Sequence, residues 1–217
     1  MPPMSHFLLP SCYLAPLPYY SILLNSASCS IDEHEYFVKQ SYRNRCEIYG
    51  ANGKLKLIVP LHHEKEKTPH QLKRISYAEP WQKNHWKSIE SAYRSSPYFE
   101  FFEEELKNIF FTKHEFLFQM NRSVLLTIMK LMKAENNIEF STSWERNPDK
   151  KIDMRSELHG NSSFIKIPND NYYQVFAQRM GFIPNLSIID LLFNTGLEGK
   201  KILAGIYSAI LKNYANE

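Results

Sequence analysis

Residues 45–50 and 54–61 constrain the fold more than any other part of the chain. Both alternate apolar with polar residues, at Cys46 and Ile48 in the first and at Leu55, Leu57 and Val59 in the second. That period of two is the mark of a half-buried strand. Between them stands Gly50-Ala51-Asn52-Gly53. Asn-Gly supplies the positive φ that a tight turn needs, so the stretch predicts a β-hairpin.

The flanking segments read as a mixture of short strands and amphipathic helices. Residues 7–9 are an apolar run ended by Pro10, which predicts a buried strand. Residues 11–18 form a loop. Pro18 suits the first turn of a helix whose inner face carries Tyr19, Ile22 and Leu23. A second strand begins at residues 29–31, giving a β-α-β opening shorter than the roughly 30 residues usual for a crossover unit. Residues 62–71 read as a mobile surface loop, and residues 75–78 and 138–141 as short strands. Helices are expected over 80–94, 98–111 and 115–133, the last with Leu117, Val124, Leu125, Ile128 and Leu131 at helical spacing. Residues 144–171 are polar and irregular, and 173–176 a weak strand. Ser187 is placed to cap a helix holding Ile189, Leu192 and Phe193, with Gly196 at its end. A terminal helix follows over 201–214.

The expected fold class is therefore α/β. Its small mixed sheet would join the amino-terminal strand to the hairpin at about 45–61, packed by helices, with a Rossmann-like sheet as one form open to it. At 217 residues, one domain spanning 1–217 is expected.

Composition narrows the function classes. The net charge of +3 lacks the strong basic excess of a nucleic-acid binder. Cys12, Cys29 and Cys46 are odd in number and form no CxxC, which predicts a reducing, cytoplasmic setting. Residues 7–24 are apolar but broken by Pro10, Pro16 and Pro18 and lack a basic start, so they do not read as a signal peptide. No apolar run of about 20 residues predicts a membrane span. No phosphate-binding glycine loop or kinase signature occurs.

Lys39, Arg43 and Arg45 place three cations just before the hairpin. In extended backbone Arg43 and Arg45 share one face and Asn44 the other. Two guanidinium forks on one face suit a phosphate or carboxylate, so this segment is the expected anion-binding wall. The plainer reading is a solvated edge whose charges block aggregation. Two histidines are candidate general bases: His34, set among Asp32, Glu33 and Glu35, and His85, beside Trp86 and near Ser88. A surface histidine and a helix-packing histidine are the competing readings. Cys46 follows a cation but points away from it, so it is expected to be a small buried hydrophobe rather than a nucleophile. His62, His63 and His70 match no zinc spacing, and no metal is expected. Asn185 and Asp190 form a polar edge on an apolar helix. Asp190 is expected to be buried, and a buried carboxylate needs a partner, for which Arg43 or Arg45 is the candidate.

Four stretches together resemble the WbqC-like protein family. They are residues 9–20, with Pro10, Ser11 and a Pro-Tyr-Tyr ending at Tyr20; KQSYRNRCEIYGANGKLKLIVPL at 39–61; HWKSIESAYRSSPYF at 85–99; and FIPNLSIIDLLFNTG at 182–196. Cys12 and Leu14 depart from the pattern, and residues 149–172 are hard to align. The resemblance implies an accessory of bacterial surface-polysaccharide (O-antigen type) biosynthesis. In that setting the first expectation is acyl or aminoacyl transfer to a nucleotide-activated amino sugar. Its small-molecule partner would be a sugar nucleotide, or a carrier protein would take that place. A non-enzymatic binding or scaffold protein of the same pathway and a nucleotidyl-type transferase are the alternatives. The resemblance strengthens the ligand reading of the cation segment, and the candidate ligand-binding residues are Lys39, Arg43, Asn44, Arg45, Asn185 and Asp190. Cofactor and oligomeric state stay unassigned.

Overall fold

The computed structural model describes residues 6–64, 66–134, 138–157 and 172–215. The opening β-α-β forms as expected, with β1 (His6–Pro10), α1 (Leu17–Asn25) and β2 (Ser28–Asp32). A nine-residue helix with proline in its first turn is long enough to return the chain beside strands only five residues long. Next come β3 (Arg45–Gly50), β4 (Gly53–Ile58), α2 (Trp81–Tyr93), α3 (Phe99–Phe111) and α4 (Leu117–Leu131). The chain continues through β5 (Ile138–Phe140), β6 (Lys151–Asp153), α5 (Ala177–Met180), α6 (Ile188–Thr195) and α7 (Gly199–Ala215).

The α/β class holds. Four strands make a parallel sheet in the order β5-β2-β1-β6, and β3 with β4 makes a separate antiparallel pair. The hairpin does not join the amino-terminal strand, because both edges of β1 are taken by β2 and β6. It docks instead through bonds such as Ser187 N–H to the Glu47 carbonyl. Gly53 sits at φ 103° and pairs with Gly50, so Ala51 and Asn52 are the loop residues and the glycine closes the turn. The second strand stops at Ile58, two residues short of Pro60, which has no N–H to extend a ladder.

The parallel register gives the main sheet two unlike faces. Phe7, Leu9, Cys29, Ile31, Ile138, Phe140 and Ile152 share one. This face packs under α7, where the Phe7 and Tyr207 rings meet edge to face at 6.1 Å. Phe7 and Leu9 are fully buried there, a gain of about 1.5–3 kcal/mol each. The other face carries His6, Ser28, Ser30, Asp32, Glu139, Lys151 and Asp153 around Leu8. The helix α6 is buried over residues 188–194 and runs through the core, as an apolar helix must. No described helix is long and apolar enough to cross a membrane.

Four local expectations need correction. β6 lies inside the stretch read as irregular, since three residues are too few to show a period; residues 158–171 of that stretch lie outside the described residues. Residues 173–176 form no strand, because the Gln174 side-chain amide makes both bonds to the Ile183 backbone that a neighbouring strand would have made. Residues 75–78 form only an isolated bridge, from Ile75 to Leu61. The segment read as a surface loop buries His70 completely, its ring stacked on Phe37 and its N–H bonded to the Glu35 carbonyl at 2.7 Å.

Candidate functional site

From β1 the chain moves out to β2 and β5 on one side, then returns to β6 on the other. Open α/β sheets offer a ligand crevice outside the carboxyl ends of their strands where the direction of winding changes. Here that place is the carboxyl edge of β1, β2 and β6. The loop leaving β1 holds Leu14 at φ 43°, a costly conformation for a branched residue and a kind of strain that gathers at functional loops.

Asp32 ends β2 at this edge. Its Oδ1 accepts the backbone N–H groups of His34 (2.8 Å) and Glu35 (3.1 Å) and the Ser141 hydroxyl (3.3 Å). Its Oδ2 takes Nη1 of Arg155 at 2.6 Å. The rest of that guanidinium closes on Asp153, at the end of β6, with Nη2 to Oδ2 at 2.6 Å. Arg155 thus ties the ends of β2 and β6 together across β1. Burial alone would raise the Asp153 carboxyl, but the Arg155 fork overrides it and holds the group below its ordinary range.

Arg43 is as deeply buried as Asp32, each only 1% exposed. It grips Glu35 with two parallel bonds, Nε to Oε1 at 2.7 Å and Nη2 to Oε2 at 2.6 Å, and Nη2 also reaches the Arg155 carbonyl at 3.3 Å. Burial raises the Glu35 carboxyl above its ordinary range, with Arg43 pulling the other way. A third pair, Arg122 with Glu33, closes the outer side, with Arg122 lying 4.0 Å over the Phe140 ring. Asn121 on α4 donates to the Arg43 carbonyl at 2.9 Å. The Cys12 thiol is pushed up to about 12 by burial, which the Arg43 charge only partly offsets. His70 is pushed down to about 3, first by burial and then by the cations Arg43 and Lys73, so its ring stays neutral.

Three arginines therefore face four carboxylates: Asp32, Glu33, Glu35 and Asp153. Fixed charges with little water around them orient a polar ligand without reorganising. Nη1 of Arg43 and Oδ1 of Asn121 remain as one buried donor and one buried acceptor without a partner among the described residues. Asn121 also lines a narrow cleft, too small to admit a water molecule, with Ser11, Cys12, Glu33, Arg122 and Phe140. Among the described residues no group of His, Cys, Asp and Glu is arranged to hold a metal ion.

The residues singled out in the sequence fall into three places. Arg43 lies in the cluster, and His34 borders it with its N–H on Asp32. Lys39 is exposed, Asn44 bonds the Val59 carbonyl at 2.9 Å to pin the hairpin, and Arg45 starts β3 half-buried. The paired fork expected of Arg43 and Arg45 is thus taken up on the Arg43 side by Glu35. His85 is buried on α2, bonded to the Tyr13 hydroxyl at 3.0 Å, and held near 4 by burial. Asp190 and Asn185 belong to a third region.

Asp190 is fully buried as expected, but its partners are not arginines. It accepts the hydroxyls of Tyr93 (2.8 Å) and Tyr172 and the amide of Gln174 (3.0 Å). Burial lifts its carboxyl to about 6 against those donors, which is why neutral groups suffice. Asn185 precedes α6 at φ 59°.

The sequence reading did not pick out Asp32, Glu33 and Glu35 as a charge cluster in their own right, and it missed Arg155. The run of acids closing a strand was a usable signal for the first three, whereas nothing local marks Arg155.

Searches among curated proteins and among solved structures each found no match. The chain does match the WbqC-like protein family over residues 11–174, a span that begins at Ser11 and holds every member of the charge cluster. That span is well over half of the sequence, and the chain belongs to the WbqC-like protein family.

Proposed function

We propose that the chain, acting as one domain, is a cytoplasmic transferase of surface-polysaccharide (O-antigen type) biosynthesis that moves an acyl or aminoacyl group onto a nucleotide-activated amino sugar. The observation that carries the reading is the Arg43–Glu35 and Arg155–Asp32 network at the carboxyl edge of the parallel sheet. Such an edge is where α/β folds hold ligands, and buried charge of this kind is costly unless it has a use or a tight partner. Three free, buried cysteines suit the reducing compartment.

In the reaction the sugar amine attacks the carbonyl carbon of a carrier thioester. A C–N bond forms, the C–S bond breaks, and the carrier leaves as a thiol. His34, half-buried in the turn that Asp32 holds through the His34 backbone N–H, is the base that takes the proton released by the amine. Arg43 and Arg155 keep the turn in place and act as positioning residues. A binding or scaffold role is favoured by one observation: each of the four carboxylates is already engaged by an arginine.

Incubation with uridine-diphosphate amino sugars and thioester-bound acyl or aminoacyl donors, followed by mass spectrometry, separates the two. Transfer is expected, with His34→Ala lowering kcat by about 10²-fold or more while the fold is kept. Saturable binding without any product would leave the scaffold reading standing and remove the transferase.

A further inference from the structure

Parallel sheets are normally covered by apolar layers on both faces. Here only one face has that character, and the other presents His6, Ser28, Ser30, Glu139 and Lys151. Beside that polar face, where the chain runs from β5 to β6, lies an open groove of about 450 Å³. That size falls within the roughly 300–1,000 Å³ of small-molecule sites.

The lining specifies a chemistry. The hydroxyls of Ser30, Ser141, Thr142 and Ser143 stand with the carboxylates of Glu139 and Glu145 and the ammonium of Lys151. Lys151 is already paired with Glu145 at 3.2 Å, whereas Glu139 is exposed and has no ion pair among the described residues. The Ser30 and Ser141 hydroxyls are bonded to His6 and Asp32, so Glu139, Thr142 and Ser143 are the groups an apolar ligand would strand, and a phosphate would meet the unpaired carboxylate. A ring bearing several hydroxyls satisfies them. Trp144 lies between the lining residues Ser143 and Glu145. It packs edge to face on Tyr36 at 6.2 Å, with the two rings 46% and 43% exposed. An exposed aromatic pair is the usual complement of the apolar face of a pyranose.

We propose that the polar face of the parallel sheet is a saccharide groove, with Glu139 and the Thr142 and Ser143 hydroxyls bonding the sugar and the Trp144–Tyr36 pair forming its stacking rim. This rests on the proposed function, whose sugar substrate it locates, and it puts the diphosphate end outside the groove.

The test uses the full chain labelled with ¹⁵N at tryptophan, its Trp144 indole signal identified by Trp144→Phe. N-acetylglucosamine, glucosamine and inorganic phosphate are titrated in turn. Both sugars are expected to move the Trp144 signal and leave those of the buried Trp81 and Trp86 in place, whereas phosphate moves none. Glu139→Gln and Trp144→Ala, both surface changes, are each expected to weaken sugar binding about tenfold. An unmoved Trp144 signal, or sugar affinity unchanged in both variants, overturns the groove. Sugar binding that depends on Trp144, without product in the transfer assay, overturns the transferase reading and leaves the groove. Transfer at an unchanged KM in both variants does the reverse.

Discussion

Replacing Glu35 by Gln tests the physics of the cluster. Arg43 is almost completely buried, and two of its N–H groups are spent on Glu35. With the carboxylate gone, the guanidinium keeps the Arg155 carbonyl at 3.3 Å and at most the one amide oxygen of the glutamine, but no counter-charge. Breaking one side of a buried pair costs about 3–5 kcal/mol, because a charge stays in the interior without its counter-charge. For a chain of 217 residues that corresponds to a fall in Tm of about 10 °C. The double change Arg43→Met with Glu35→Leu removes both charges and fills similar volume, so it is expected to recover about 2 kcal/mol or more of the single-variant loss. Urea unfolding followed by circular dichroism gives both numbers, with the m value checking that the native state is unaltered. A Glu35→Gln protein within about 0.5 kcal/mol of the parent, or a double variant less stable than the single one, would refute the reasoning.

Other outcomes follow from the buried titrating groups and the tight turn. His70 and His85 are held down to about 3 and about 4, so the unfolded chain binds protons that the folded chain refuses. Their stabilising effect is complete above the unfolded value near 6.5 and is lost as pH falls, by at most about 1.4 kcal/mol per pH unit for each. A urea midpoint that does not fall between pH 6.5 and 4.5 in an Asp190→Asn background contradicts this. Asp190, raised to about 6, works in the opposite sense: its folded form holds the proton more tightly and gains stability as pH falls from 6 towards 3.8. Asp190→Asn should therefore steepen the acid loss seen in the same titration. Gly196 sits at φ 56° with a Cβ position 2.8 Å from Tyr98 ring carbons, so Gly196→Ala is expected to cost about 1–3 kcal/mol in the same unfolding assay.

What the sequence discloses here is what short-range periodicity can carry. The hairpin shows in the alternation around Gly50 and Gly53, and the β1–α1–β2 opening in a buried run, two proline stops and a helical face. The burial of Asp190 is legible from Ile189, Leu191 and Leu192 beside it. Its partners are not, since Tyr93 lies 97 residues away and is chosen by the fold. The same holds for Arg155, brought to Asp32 from 123 residues along the chain by a three-residue strand in a polar stretch. Arg43 was picked out by its charge, but charge alone could not distinguish a guanidinium offered to a ligand from one locked on Glu35. His70 shows the same limit: a histidine among charged neighbours reads as solvated until Phe37 covers it.

The central claim is that the carboxyl edge of the parallel sheet is the functional site. A crystal structure of the full chain soaked with a uridine-diphosphate amino sugar tests it most directly. The account predicts ordered ligand against the 32–36 turn and the 141–146 segment, within reach of His34. Ligand seated beside the hairpin, or around Asn185 and Asp190, would contradict it.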